Sequence, residues 1–153
     1  MSDEHFMRDA IAQALAGAGE GEPPFGALIV TAEGRVLSRA HDTVRQHADM
    51  TRHAEVAAVR AACAVRGPDL SGCTLYTTTE PCPMCFTAAW LARISRIVFG
   101  STMLEVGVIT GGLQREAAVA AAAMNSMTGE EITLVGGVLR EACLEPFRTR
   151  TAA

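Results

Sequence analysis

Lysine is missing from this sequence of 153 residues, and all 13 basic side chains are arginine. The 17 acidic side chains outnumber them and give a formal net charge of −4. That balance argues against a protein whose main task is gripping nucleic-acid phosphates, while leaving room for a local basic patch. The exclusive use of arginine, in a chain so rich in alanine, reads as codon bias. Long apolar runs are also missing. Stretches such as residues 117–124 fall far short of what a bilayer requires, so no membrane partner is expected. The start, Met1-Ser2-Asp3-Glu4, is acidic and carries neither the basic nor the apolar region of a secretory signal. A cytoplasmic location is therefore expected. Five cysteines are an odd number, which weighs against a disulfide framework. No repeat, low-complexity linker or composition break divides the chain, so residues 1–153 read as one domain. Hydrophobic residues at 49% and charged residues at 20% exclude disorder, and a chain of this length buries a core without staples.

What is present alternates between two periods. Phe6, Ile11, Ala14, Leu15 and Ala18 follow a helical repeat over residues 5–18, and the Gly/Pro-rich segment 19–24 ends it. Residues 25–31 and 35–40 read as two strands joined by a tight turn at Ala32-Glu33-Gly34. Residues 41–50 are polar and loop-like. Thr51 is the expected N-cap of a helix starting near Arg52 and ending at Gly67-Pro68. Residues 73–79 are rich in β-formers and predict a central strand. A helix over 83–93 follows, opened by Pro83, and then a strand over 94–100. A helix over 117–124, a strand over 132–135 and a helix over 138–147 complete the order α-β-β-α-β-α-β-α-β-α. Helices and strands in that alternation predict an α/β fold, a three-layer α/β/α sandwich around a central mixed five-stranded sheet.

Two short segments carry the chemistry. His53-Ala54-Glu55 lies near the start of one predicted helix, and Pro81-Cys82-Pro83-Met84-Cys85 at the start of the next. A C-x-x-C at a helix N-terminus sets two sulfurs one turn apart, where the helix dipole favours thiolates. Two thiolates and one imidazole give three protein ligands to a tetrahedral Zn²⁺ and leave the fourth position for water, the pattern of a catalytic site. Glu55 is near enough to take a proton from that water and pass it to a leaving nitrogen. A redox dithiol is the rival reading of the C-x-x-C alone, but it assigns nothing to the H-x-E segment. Cys63, Cys73 and Cys143 read as core residues, His41 and His47 as loop histidines with His41 near the pocket, and Arg45 and Arg52 as partners for Asp42 and Asp49.

H-x-E…P-C-x-x-C is the signature of zinc nucleobase deaminases. The sequence resembles the cytidine/deoxycytidylate deaminase superfamily, in particular its branch of guanine deaminases, cytosine deaminases and bacterial tRNA adenosine deaminases. Pro24-Phe25-Gly26-Ala27, the segment from Asp49 to Glu55, the segment from Leu75 to Cys82, and Arg96-Ile97-Val98-Phe99-Gly100 together carry the resemblance. It implies a cytidine deaminase-like fold and one Zn²⁺ per subunit with a bound water or hydroxide. His53, Cys82 and Cys85 would be its ligands and Glu55 the proton shuttle. It also implies base contacts from the backbone around Ala54, and a homodimer formed beside the metal site. Phe25 and Trp90 are candidate stacking surfaces for the base.

The sequence departs from the family in two places. Asp42 stands where related deaminases place Asn; a carboxylate can only accept hydrogen bonds, so Asp42 is a candidate contact for a ring edge rich in N–H donors. Residues 101–110 replace the basic, Gly-containing loop of the tRNA enzymes, which weakens the case for a tRNA partner. The expected function is hydrolytic deamination of a small free nucleobase or close analogue (guanine-, isoguanine-, cytosine- or aminotriazine-like). One alternative is a tRNA-specific adenosine deaminase, with a basic stripe from Arg93, Arg96, Arg148 and Arg150. Another is a catalytically inactive zinc-binding interaction module.

Overall fold

In the computed structural model, the described residues are 1–113, 115, 119–129 and 132–152. Along them run α1 (Asp3–Gly19), β1 (Gly26–Val30), β2 (Val36–His41), α2 (Ala54–Arg66), β3 (Thr74–Thr79) and α3 (Pro83–Leu91). These are followed by β4 (Arg96–Ser101), α4 (Met103–Thr110), α5 (Ala121–Met127), β5 (Thr133–Val135) and α6 (Arg140–Ala152). The strands form one sheet in the order β2-β1-β3-β4-β5. β1 pairs antiparallel with β2 and β3, while β3–β4 and β4–β5 are parallel, so the sheet is mixed as the sequence predicts.

Strand alternation divides the core between the two faces. Ala27, Ile29, Leu75 and Ile97 share one cluster with Ala54, Ala58 and Ala62 of α2 and Phe86 and Ala89 of α3. Leu28, Val30, Tyr76 and Val98 belong to the other, with Phe6, Met7 and Ala10 of α1. A Cβ added to Gly26 would lie 2.0 Å from the Ala10 carbonyl oxygen and 2.5 Å from the Ala14 nitrogen. Its missing side chain therefore lets the α1 backbone rest directly on β1.

Four differences from the sequence expectation have local causes. Asp49 captures both the N–H (2.9 Å) and the hydroxyl (2.7 Å) of Thr51, so Thr51 closes an Asx turn rather than capping a helix. The backbone is extended at His53, which becomes the N-cap of α2. The segment after β4 contains α4, which the sequence reading omits. Thr102 and Glu105 close a reciprocal capping box at its start, and Gly111 ends it in the left-handed conformation. The helix expected over 117–124 is α5, which begins at Ala121; positions 117 and 118 lie outside the described residues. The closing helix begins two residues later than expected and runs on through Pro146 to Ala152.

Candidate active site

The exit of β3 and the first turns of α2 and α3 converge at one end of the sheet, the usual place for a crevice beyond the carboxyl ends of parallel strands. Pro83 occupies the first helical position of α3, where its lack of an N–H costs nothing. Cys82 is thereby the N-cap, and Cys85 follows one turn on. His53 holds the same position on α2, and neither N-cap side chain makes a capping hydrogen bond.

These placements bring three donors together. His53 Nδ1 lies 3.6 Å from Cys82 Sγ and 3.4 Å from Cys85 Sγ, and all three ligand atoms fall within 4.8 Å of one another. Ligands at ~2.05 and ~2.3 Å from a tetrahedral zinc stand ~3.6 Å apart, so the imidazole–sulfur spacings match the edges of such a tetrahedron. Among the described residues this is the only such group of His, Cys, Asp and Glu side chains. The donor set fits Zn²⁺.

The groups perturb one another strongly. A bond from Cys85 lowers the Cys82 thiol to about 4 against the opposing effect of burial, and His53 adds to that lowering. Burial works against the His53 cation, but the Cys82 thiolate, Glu55 and Asp42 outweigh it and raise the imidazole to about 9. Cys85 is pushed well up by its bond to Cys82, by burial and by the charge of Glu55. Glu55, 5% exposed, is raised chiefly by burial, with His53 pulling the other way. Its Oε1 accepts the Thr77 hydroxyl at 3.0 Å, and its Oε2 accepts the Cys85 thiol at 3.5 Å. The same Thr77 hydroxyl lies 3.0 Å from the Thr79 carbonyl oxygen. It can thus turn its proton to either acceptor, and a carboxylate and a carboxylic acid at Glu55 both find a partner.

Beside this cluster lies a cleft of ≈ 320 Å³, including the part open to solvent, lined by Phe25, Asp42, His53, Glu55, Thr79, Glu80, Cys82 and Met103. Asp42 is 1% exposed, and its Oδ1 accepts the Ala54 N–H at 2.7 Å. Ala54 is therefore engaged through its backbone, as the first N–H of α2. Phe25 packs against Phe147 of α6 with ring centroids 5.1 Å apart. Trp90 is not among the cleft-lining residues; it lies half-buried against the α2/α3 core. His41 is also absent from the lining and faces α1, its Nε2 3.6 Å from Glu20. Arg52 does meet Asp49, at 3.5 Å. Arg45 instead donates to the Gly21 carbonyl, and the Glu22 carboxylate accepts the N–H groups of Arg45 and Gln46.

Sequence reasoning overlooked Thr77, Thr79, Glu80 and Met103. The first two carried a readable signal. In a central strand they fall on the same face as Leu75, and hydroxyls on a core-facing row require partners. Met103 was reachable only through the Thr102-x-x-Glu105 capping box that opens α4, which went unread.

Comparison with known proteins agrees with this geometry. The family model for the cytidine and deoxycytidylate deaminase zinc-binding region matches residues 1–101. The tRNA(Ile)-lysidine synthase of Deinococcus radiodurans is 46% identical over 106 residues, 69% of this chain, but this chain spans only 18% of that protein's length. The tRNA-specific adenosine deaminase of Bacillus subtilis is 34% identical over 145 residues, covering 92% of this chain and 83% of its own. A solved structure of guanine deaminase from Nitrosomonas europaea superposes with a TM-score of 0.84 at 25% identity, covering 99% of this chain and 86% of that one. By the residues matched and by the likeness of a relative along most of its length, the chain belongs to the cytidine and deoxycytidylate deaminase family.

Proposed function

We propose that this chain hydrolytically deaminates a small free base whose ring edge carries N–H donors, guanine-, isoguanine-, cytosine- or aminotriazine-like, and releases ammonia. His53, Cys82 and Cys85 would hold the zinc, which when bound acts as a Lewis acid that makes water nucleophilic near neutral pH. Glu55 accepts one proton of the attacking water and hands it to a ring nitrogen. It then takes the proton of the newly added hydroxyl and delivers it to the amine, which leaves as ammonia as the C–N bond breaks and the carbonyl forms. Thr77 keeps the carboxyl of Glu55 in place through both protonation states. Phe25 offers the base an apolar surface on the cleft wall.

The observation that carries the choice of substrate is Asp42, a buried acceptor-only group on the wall of the cleft that holds His53 and Glu55. An N–H of the substrate aimed at it is satisfied, whereas a bare ring nitrogen leaves two acceptors face to face at a cost of about 1–3 kcal/mol. The test is ammonia release from a panel of donor-rich bases, adenine, adenosine and one tRNA, by the wild-type protein and Asp42→Asn. The variant should shift relative kcat/KM toward the acceptor-edged compounds by about tenfold or more. An unchanged ranking would sink the assignment.

A second reading, a tRNA-specific adenosine deaminase, is favoured by the Bacillus subtilis relative, which matches across nearly the whole chain. Against it, three of the four arginines expected to form a basic stripe are engaged internally. Arg96 is held by Asp3, Arg148 by Glu141, and Arg150 donates to the Glu22 carbonyl. Deamination of the tRNA in the panel, weakening steeply with salt, would select this reading instead. Cytoplasmic residence and a homodimer belong to the same proposal. Leu104 and Val108, one turn apart on α4 and each 76% exposed, are apolar surface that a second subunit would cover, and sedimentation at micromolar concentration tests it.

A further inference from the structure

Glu80 belongs neither to the ligand set nor to the proton relay, yet it is buried and borders the cleft. Its two oxygens serve two different helices. Oε1 accepts the N–H of Met103, the first residue of α4, at 3.2 Å, and Oε2 accepts the N–H of Ala121, the first residue of α5, at 2.9 Å. The N-cap of α5 is Ala120, which has no side-chain acceptor, so Glu80 takes over that role from 41 residues away. A carboxylate between two helix N-termini also meets the positive end of both dipoles. The backbone of Glu80 is tied to the sheet as well, its N–H donating to the Ser101 carbonyl at 2.7 Å. One residue thus locks the exit of β3, two positions before Cys82, to the first residues of α4 and α5. Met103 is itself 7% exposed and forms part of the cleft wall. The other carboxylate clamp, Glu22, holds two consecutive N–H groups of a single loop. Glu80 joins elements that the chain brings together only through tertiary packing.

We infer that Glu80 is a positioning residue for substrate binding: it fixes the first turns of α4 and α5 and thereby sets Met103 as the wall against which the base packs. The inference rests on the reading of the cleft as a base site. Gln at this position keeps one acceptor oxygen but replaces the other with a donor, so one of the two N–H groups loses its partner. In zinc-replete Glu80→Gln, KM for the preferred base should rise about tenfold, the size of one charge-assisted bond, while kcat changes less than about threefold. Amide exchange at Met103 or Ala121 should speed up by a similar factor without substrate present. Met103→Ala should raise KM likewise, and the double variant should show less than the product of the two effects, because one residue acts through the other.

An unaltered KM, a fall confined to kcat, strictly multiplicative variants, or unchanged exchange at both amides would each overturn the inference. If Glu80→Gln does not fold, Glu80→Asp, which keeps both oxygens on a shorter stem, takes the same measurements. A wild-type protein that releases ammonia from no base refutes the functional reading, and the exchange measurement still decides whether Glu80 holds the two helices.

Discussion

Four of the helices begin in two different ways. At α1 the Ser2 side chain accepts the His5 N–H, and at α4 Thr102 and Glu105 cap one another, so the first turns are satisfied by their own residues. At α2 and α3 the N-cap positions belong to His53 and Cys82, which make no capping bond. Their side chains point to each other and to Cys85 instead. A side-chain cap contributes about 1 kcal/mol, and the metal end of the sheet forgoes two of them. Asp42 recovers part of the loss by accepting the Ala54 N–H. The same unsatisfied N-termini favour thiolate sulfur, so weak capping and ligand chemistry have one cause.

The charges of the two regions differ in the same way. Near the start of α1, Asp3 receives both terminal nitrogens of Arg96 at 2.7 Å and the Tyr76 hydroxyl at 2.8 Å. Each group there stabilises the ordinary charged state of its neighbour. Around His53, Cys82, Cys85 and Glu55, burial and mutual contact drive the thiols in opposite directions and raise both the imidazole and the carboxyl. The first arrangement favours stability, and the second is what the proposed proton transfer and cation binding would require.

Three substitutions or titrations would sharpen or break that contrast. The largest effect is expected at Glu55. Glu55→Gln should lower kcat by about 10²–10⁴-fold while zinc stoichiometry stays at one per chain. A variant that retains activity would refute the proton-transfer role of Glu55, whereas a wild-type protein without turnover would support the inactive-module alternative. Next comes the cation. At pH 7 the metal-free site holds a proton on His53, raised to about 9, and another on Cys85, raised well above its ordinary value. Zinc added to chelator-treated protein in weak buffer should release about two protons per site, since the metal takes imidazole and thiolate in their deprotonated forms. Release of none would mean the donors are not the ligands.

The smallest effect is expected at α1, where Asp3→Asn should cost about 1 kcal/mol at neutral pH with kcat unaltered. The Arg96 bond, against the opposing effect of burial, holds the Asp3 carboxyl below its ordinary value. Its stabilisation is therefore present above the unfolded-state value of about 3.9 and disappears as pH falls through the folded one. Thermal denaturation of the wild type and the variant should converge in acid.

Much of this is legible in the sequence. Pro83 after Cys82 marks a helix start, and a sulfur three residues later must lie on the same side of its first turn. The run of β-formers before it marks the buried central strand. The start of α2 was less legible, because Thr51 is a good cap by type and only the neighbouring Asp49 diverts it into a turn. The helix α4 was present in the text as Thr102-x-x-Glu105, a capping box overlooked because its following residues read as a departure from related sequences. The failure of Trp90 to reach the cleft was not legible. Its position on α3 is compatible with either the cleft or the core, and only the packing of α2 and the sheet against α3 decides which.

The order of elements, the ligand types and the pairing of Glu55 with His53 follow from the chain itself, because they depend on spacings within one turn of helix or on the two-residue period of a strand. The junction of Glu80 with α4 and α5, the approach of Thr77 to Glu55, and the burial of Asp42 against Ala54 needed the folded molecule. Each joins residues 12 to 41 positions apart, and no local pattern specifies where a side chain meets a backbone amide from another element. Those meetings are set by how the layers pack, and they give the cleft its shape.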